Sequence, residues 1–143
     1  TGGNAILNFI ENSGGTQNAK IEFDQGLATQ LPYADSSYDR VFSTLFFHHL
    51  GHSDKARAFA EIFGVLKPGG QLHVADWGKP TNFLMRLLFY PIQWLDGFAN
   101  TKDNVEGQLP NIIQHSGFND VQIDKQFSTV FGTLTLYRAL KDE

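Results

Sequence analysis

The sequence predicts an α/β fold in one domain, residues 1–143, whose sheet is mostly parallel and ends in an antiparallel hairpin. Three observations lead there. A strand, a helix and a second strand follow one another between Asp39 and Asp76, an order that implies a parallel crossover. The strand at 39–45 is apolar on both faces, as a buried parallel strand is. Two alternating segments meet at Phe131-Gly132 near the C-terminus and read as an antiparallel pair.

Taken in order, Ala5 to Ile10 places Ile6, Phe9 and Ile10 at helical spacing and predicts a short helix ended by Gly14-Gly15. Ala19 to Asp24 alternates, with Ile21 and Phe23 on one face, and predicts a strand. Asp39 to Leu45 is the next strand. Ser53 or Asp54 offers a side-chain oxygen to cap the helix that follows, whose apolar face is Phe59, Ile62, Phe63 and Leu66. Lys67-Pro68-Gly69-Gly70 stops that helix, because proline cannot continue it and glycine tolerates the turn.

Gln71 to Asp76 predicts a third strand. Phe83 to Leu95 predicts a helix kinked before Pro91, apolar almost all round. Leu109 to Ser116 predicts a shorter helix, with Pro110 near its start and Gly117 just past its end. Val121, Ile123 and Phe127 then alternate along a strand. Thr133 to Tyr137 forms the last, threonine on one face and leucine on the other.

Composition narrows the function. The chain of 143 residues is 41% hydrophobic and 18% charged, which fits a folded globular protein. A net charge of −4 and no basic stripe argue against nucleic acid as a partner. Cysteine is absent, so disulfides and thiolate chemistry are excluded, and a reducing cytoplasm is the expected location. The most apolar stretch, 83–95, contains Arg86 and Pro91 and is too short for a membrane span.

Three runs share one further pattern: Leu31-Pro32-Tyr33-Ala34-Asp35-Ser36-Ser37-Tyr38-Asp39-Arg40-Val41, then Phe47-His48-His49-Leu50, then Glu61-Ile62-Phe63-Gly64-Val65-Leu66-Lys67-Pro68-Gly69-Gly70. From about Ile6 to the C-terminus the chain resembles a class I S-adenosylmethionine-dependent methyltransferase of the type 11 branch. The resemblance implies a truncated, doubly wound Rossmann-like fold. The N-terminal part with the glycine-rich cofactor loop is expected to be lacking, since Thr1-Gly2-Gly3-Asn4 is all that stands there.

By that resemblance the cofactor, S-adenosylmethionine, meets Gly26, Leu27 and Ala28 at its adenine and Ser43, Thr44 and Leu45 at its methionine end. Leu27 stands where the family has an aspartate, and leucine cannot accept from the adenine amine. Gly64 stands where the family commonly has arginine. Methyl transfer needs no obligatory base, because orientation alone is worth roughly 7–11 kcal/mol in favourable cases.

His48, His49 and Asp76 are the candidate catalytic residues on the acceptor side; helix entry, packing and loop capping are the other roles open to them. With His52 the two histidines offer three imidazoles, but no carboxylate or cysteine visibly converges on them, so no metal site is predicted. The segment Asp96 to Pro110 resembles the insert that covers the substrate. The helix before it packs into a core or against a second copy, or else covers an apolar acceptor.

In the family register, strands 1 and 2 would separate the strands at 19–24 and 39–45. Without them an apolar edge is open, and edges of that kind recruit another strand. A homodimer through this edge is therefore expected, unless the strand at 19–24 slides into the gap. The function expected is that of a methyltransferase acting on a small or lipid-like acceptor, with weak or no activity as an isolated chain. The alternative is a non-catalytic, dimerising remnant.

Overall fold

The computed structural model describes the backbone of residues 4–11 and 20–24 and the whole of residues 25–143. Gly2-Gly3 and Gly14-Gly15 lie outside the described residues. Two strands, β1 (Asn4–Glu11) and β2 (Lys20–Leu27), pair antiparallel from Asn4↔Leu27 to Glu11↔Lys20. This corrects the helix expected at 5–10. Over so few residues the positions 6, 9 and 10 fit a helix, yet 5, 7, 9 and 6, 8, 10 fit a strand equally. The continuous ladder with β2 decides between them.

The main sheet has four strands in the order β3-β4-β6-β5, comprising β3 (Tyr38–Thr44), β4 (Leu66–Trp77), β5 (Asn119–Thr129) and β6 (Gly132–Leu140). β3 and β4 are parallel; β6 is antiparallel to both β4 and β5. Three of the four strands thus point the same way, but only one neighbouring pair is parallel. The sheet is mixed rather than mostly parallel by pairing, because β6 inserts between β4 and β5. Among the described residues β2 does not slide beside β3, and β3 has a single partner in its sheet.

The crossover from β3 to β4 is made by α1 (His52–Val65). No side chain caps it; Gly51 is the cap, and its carbonyl accepts from Lys55 N–H at 2.9 Å. Ser53 and Asp54 lie inside the first turn instead. The turn at 67–70 forms a break in the β3–β4 register, from Tyr38↔Leu66 to Arg40↔Gln71. Gly69 has φ +76°, and a Cβ on Gly70 would lie 2.7 Å from the Lys67 carbonyl, so glycine is required at both.

After β4 come α2 (Phe83–Leu88), α3 (Tyr90–Asp96), α4 (Phe98–Glu106) and α5 (Leu109–His115). The break between α2 and α3 falls just before Pro91, as the sequence predicts. The core brings Ala58, Phe59, Ile62 and Val65 of α1 and Leu109, Ile112 and Ile113 of α5 together with Val41, Leu72, Val74, Tyr137 and Ala139 of the sheet. Phe42, on the alternate pleat of β3, is exposed and stacks on His73 at 4.9 Å. α1 and α5 share this core, while α2 contacts β6 and α4 contacts β4.

Candidate functional site at the strand ends

The parallel strands β3 and β4 end side by side, with Thr44 opposite Ala75. Leu45 follows at φ +50°, uncommon for a side chain with a Cβ, and its N–H donates to the Ala75 carbonyl at 2.7 Å. The chain then makes a short 3-10 turn, Phe47–His49. One residue holds that turn: Asp76, the last but one of β4, with no exposed surface.

Asp76 Oδ2 accepts from the backbone amides of Phe46 (3.2 Å), Phe47 (2.6 Å) and His48 (3.3 Å). Its Oδ1 accepts from Trp77 N–H at 2.7 Å and meets His48 Nδ1 at 2.7 Å. The carboxylate therefore does for this turn what a capping side chain does for a helix. With Trp77 N–H already on Oδ1, His48 Nδ1 is the donor of the remaining contact, which assigns the tautomer from the hydrogen-bond network. In the neutral ring, Nε2 then carries the lone pair.

His48 is buried, and its Nε2 lies 3.5 Å from Asp96 Oδ2. His49 is 52% exposed at its side chain, with Nδ1 3.3 Å from Asp96 Oδ1. The two imidazole centroids are 4.0 Å apart. His52 is not part of this group; it is exposed and pairs with Asp103 at 3.1 Å. The three catalytic candidates are thus brought together, and Asp96 at the end of α3 is the carboxylate that the sequence reading did not find.

Lys55 is a second group that sequence reasoning missed. Fully buried, its Nζ donates to the carbonyls of Leu50 (2.6 Å) and Asn100 and lies 3.4 Å from Asp103 Oδ2. Burial lowers its pKa from the ordinary lysine value, against the opposing pull of Asp103. The signal was available: Lys55, Phe59, Ile62 and Leu66 share one helical stripe. Through Lys55, and through Asn104 Nδ2 donating to the Trp77 carbonyl at 2.7 Å, α4 is fixed to α1 and β4.

Of the cofactor candidates, Gly26 and exposed Leu27 close β2, and buried Ala28 belongs to the core cluster that also holds Val41 and Phe47. Ser43 and Thr44 end β3, and their hydroxyls make no hydrogen bond among the described residues. Leu45 is exposed. The helices α2 and α3 do not pack all round: Phe83, Leu84, Leu87, Trp94 and Leu95 face solvent, while Met85, Phe89 and Gln93 are buried. Among the described residues no helix is long and apolar enough to cross a membrane.

Comparisons with known proteins follow the same lines. A family model described as a methyltransferase domain matches residues 4–74. A demethylmenaquinone methyltransferase of Renibacterium salmoninarum is 39% identical over 82 residues, 56% of this chain and 34% of the relative. A ubiquinone/menaquinone biosynthesis C-methyltransferase of Pseudomonas entomophila is 42% identical over 65 residues, 46% of this chain and 25% of the relative. The matched segment spans about a third or less of these relatives' length.

Among solved structures, a methyltransferase from Methanosarcina mazei superposes with a TM-score of 0.60 at 22% identity, covering 82% of this chain and 65% of that one. A Haemonchus contortus phosphoethanolamine N-methyltransferase bound to S-adenosylmethionine gives 0.62 at 17% identity, covering 81% and 36%. At such identities these two likenesses concern the fold.

Proposed function

We propose that this chain, which belongs to the class I S-adenosylmethionine-dependent methyltransferases, takes part in methyl transfer from S-adenosylmethionine to a lipid-like acceptor. The observation that carries the reading is the strand-end arrangement. Ser43, Thr44 and Leu45 close β3, Asp76 closes its parallel neighbour β4, and His48 stands against Asp76. Ligands of open α/β sheets bind outside the carboxyl ends of the strands.

S-adenosylmethionine, when bound, supplies an electrophilic methyl group on a sulfonium. The residues present suit such a guest in part. Among the described residues the Ser43 and Thr44 hydroxyls make no hydrogen bond, and the exposed Leu45 offers an apolar contact. Leu27 offers the adenine no acceptor, so selection there falls to apolar contact. His48 Nε2, its tautomer held by Asp76, can accept a proton from the acceptor. His49 is the exposed member of the pair, on the side from which an acceptor arrives.

The apolar face of α2 and α3, with Phe83, Leu84, Leu87, Trp94 and Leu95, suits an apolar acceptor such as the demethylmenaquinone after which the Renibacterium relative is called. The edge of β3 left unpaired among the described residues, with Phe42 exposed beside it, supports association of two copies through that edge. Lack of cysteine supports a cytoplasmic place.

A second reading, a non-catalytic dimerising remnant, is favoured by Leu27. Calorimetric titration of the full chain with S-adenosylhomocysteine separates the two. A micromolar Kd that weakens in Thr44→Val supports the methyl-transfer reading. No heat at millimolar ligand overturns it and leaves the remnant. Light scattering at micromolar chain tests the dimer, and a monomer there refutes it.

A further inference from the structure

We propose that His48, His49 and Asp96 form a binding site for a divalent first-row transition metal, with Asp76 as the partner that orients His48. One ligand atom from each of the three lies within 4.8 Å of the others. A tetrahedral metal with bonds of about 2.0–2.1 Å holds its donor atoms about 3.3 Å apart. The contacts of His48 Nε2 and His49 Nδ1 with the two oxygens of Asp96 are 3.5 and 3.3 Å. Each imidazole thus already meets one Asp96 oxygen at about the spacing a metal imposes, and drawing the three ligand atoms in from within 4.8 Å of one another completes the set.

The electrostatics point the same way. Asp76 accepts the hydrogen bond of His48 Nδ1, so in the neutral ring Nε2 keeps its lone pair, 3.5 Å from an Asp96 oxygen. Two acceptors at that distance repel unless a positive charge, a metal ion or a proton on the ring, offsets them. A carboxylate that fixes the far nitrogen of a ligating histidine is the usual outer support of a metal site, and it raises ligand basicity. Two imidazoles with one carboxylate suit zinc, cobalt, nickel or ferrous iron better than magnesium or calcium.

Three protein ligands leave a coordination position open. Partial exposure of His49 and Asp96, 52% and 21%, gives an entry path and room there for a water or a ligand oxygen. A metal on Nε2 occupies the lone pair with which His48 would accept a proton, so the two roles exclude each other in one molecule.

The experiment is titration of the full, untagged chain with Co(II), read by visible d–d absorption, and with Zn(II), read by calorimetry. One equivalent is expected to bind with a Kd on the order of 1 μM. His49→Ala, at a half-exposed position, and Asp96→Asn, which keeps its size, are each expected to weaken binding at least tenfold with unchanged thermal melting. Asp76→Asn is expected to weaken it about 10–100-fold. His52→Ala, at the separate pair with Asp103, is expected to leave the affinity unchanged.

No binding at about 1 mM metal would overturn the proposal, leaving a proton between His48 and Asp96 as the only cation. Binding lost in His52→Ala but retained in His49→Ala and Asp96→Asn would overturn it as well.

Discussion

Replacing Asp76 by alanine removes the acceptor on which five donors converge: the amides of Phe46, Phe47, His48 and Trp77, and His48 Nδ1. Not all five count equally. The Phe46 and His48 amides are at 3.2 and 3.3 Å, and Phe46 is only half-buried, so water entering the vacated space can serve them. Phe47 N–H, Trp77 N–H and His48 Nδ1 are at 2.6–2.7 Å in a buried setting.

At about 1–3 kcal/mol for each orphaned buried donor, with partial relief by water, the three sum to about 3–5 kcal/mol. For a chain of this size about 3–4 °C of Tm goes with each kcal/mol, so Asp76→Ala is expected to melt about 10–20 °C below the parent. Asp76→Asn keeps the shape and one acceptor oxygen but turns an NH2 toward donors, and about 2 kcal/mol, or about 7 °C, is expected. Thermal melting by far-UV circular dichroism measures both. If both variants melt within about 2 °C of the parent, or if asparagine costs as much as alanine, Asp76 is not what holds the turn after β3.

Two further expectations concern the neighbours of this residue. Burial, with Asp76 acting in the same direction, pushes the Tyr137 phenol up to about 12. The unfolded chain releases this proton near 10 and the folded chain near 12, so between those values the folded state binds more protons and stability falls as pH rises. The loss is about 3 kcal/mol, absent below pH 10, and Tyr137→Phe is expected to abolish that slope in urea melts taken at pH 9 to 12. At Gly78 a Cβ would stand 2.1 Å from Thr135 Oγ1 and 2.9 Å from the Tyr137 hydroxyl. Gly78→Ala is therefore expected to cost about 1–3 kcal/mol or more, and Thr135→Ala in the same chain to recover part of it; simple additivity in a double-mutant cycle would refute the contact.

What the sequence made legible is what local patterns encode. The break before Pro91, the stop at Gly117 and the hairpin at Phe131-Gly132 each depend on residues within one turn of chain, and each is found. The hairpin β1–β2 was not legible, because the choice between helix and strand at 5–10 lies with a partner far along the chain. The share of parallel pairing was misread for a similar reason. β6 enters the sheet between two strands that precede it in sequence, and no local pattern carries an insertion point.

The site divides along the same line. His48 and His49 were marked by motif and Asp76 by its place at a strand end, and the structure joins them, but neither signal says what completes them. The contact of His48 with Asp76 closes 28 residues of chain, and Asp96 reaches the pair only because the break before Pro91 turns α3 back over the strand ends. α4 can follow that path because Lys55 and Asn104 replace an apolar contact with hydrogen bonds to backbone carbonyls. A buried ammonium is costly unless its donors are met, so the residues that hold α4 also fix where α3 must end. The position of Asp96 is in that sense a consequence of Lys55, 41 residues earlier in number but in the same polar layer. A helix insert anchored in this way is poorly suited to act as a mobile lid, and well suited to hold a carboxylate at fixed distance from two imidazoles.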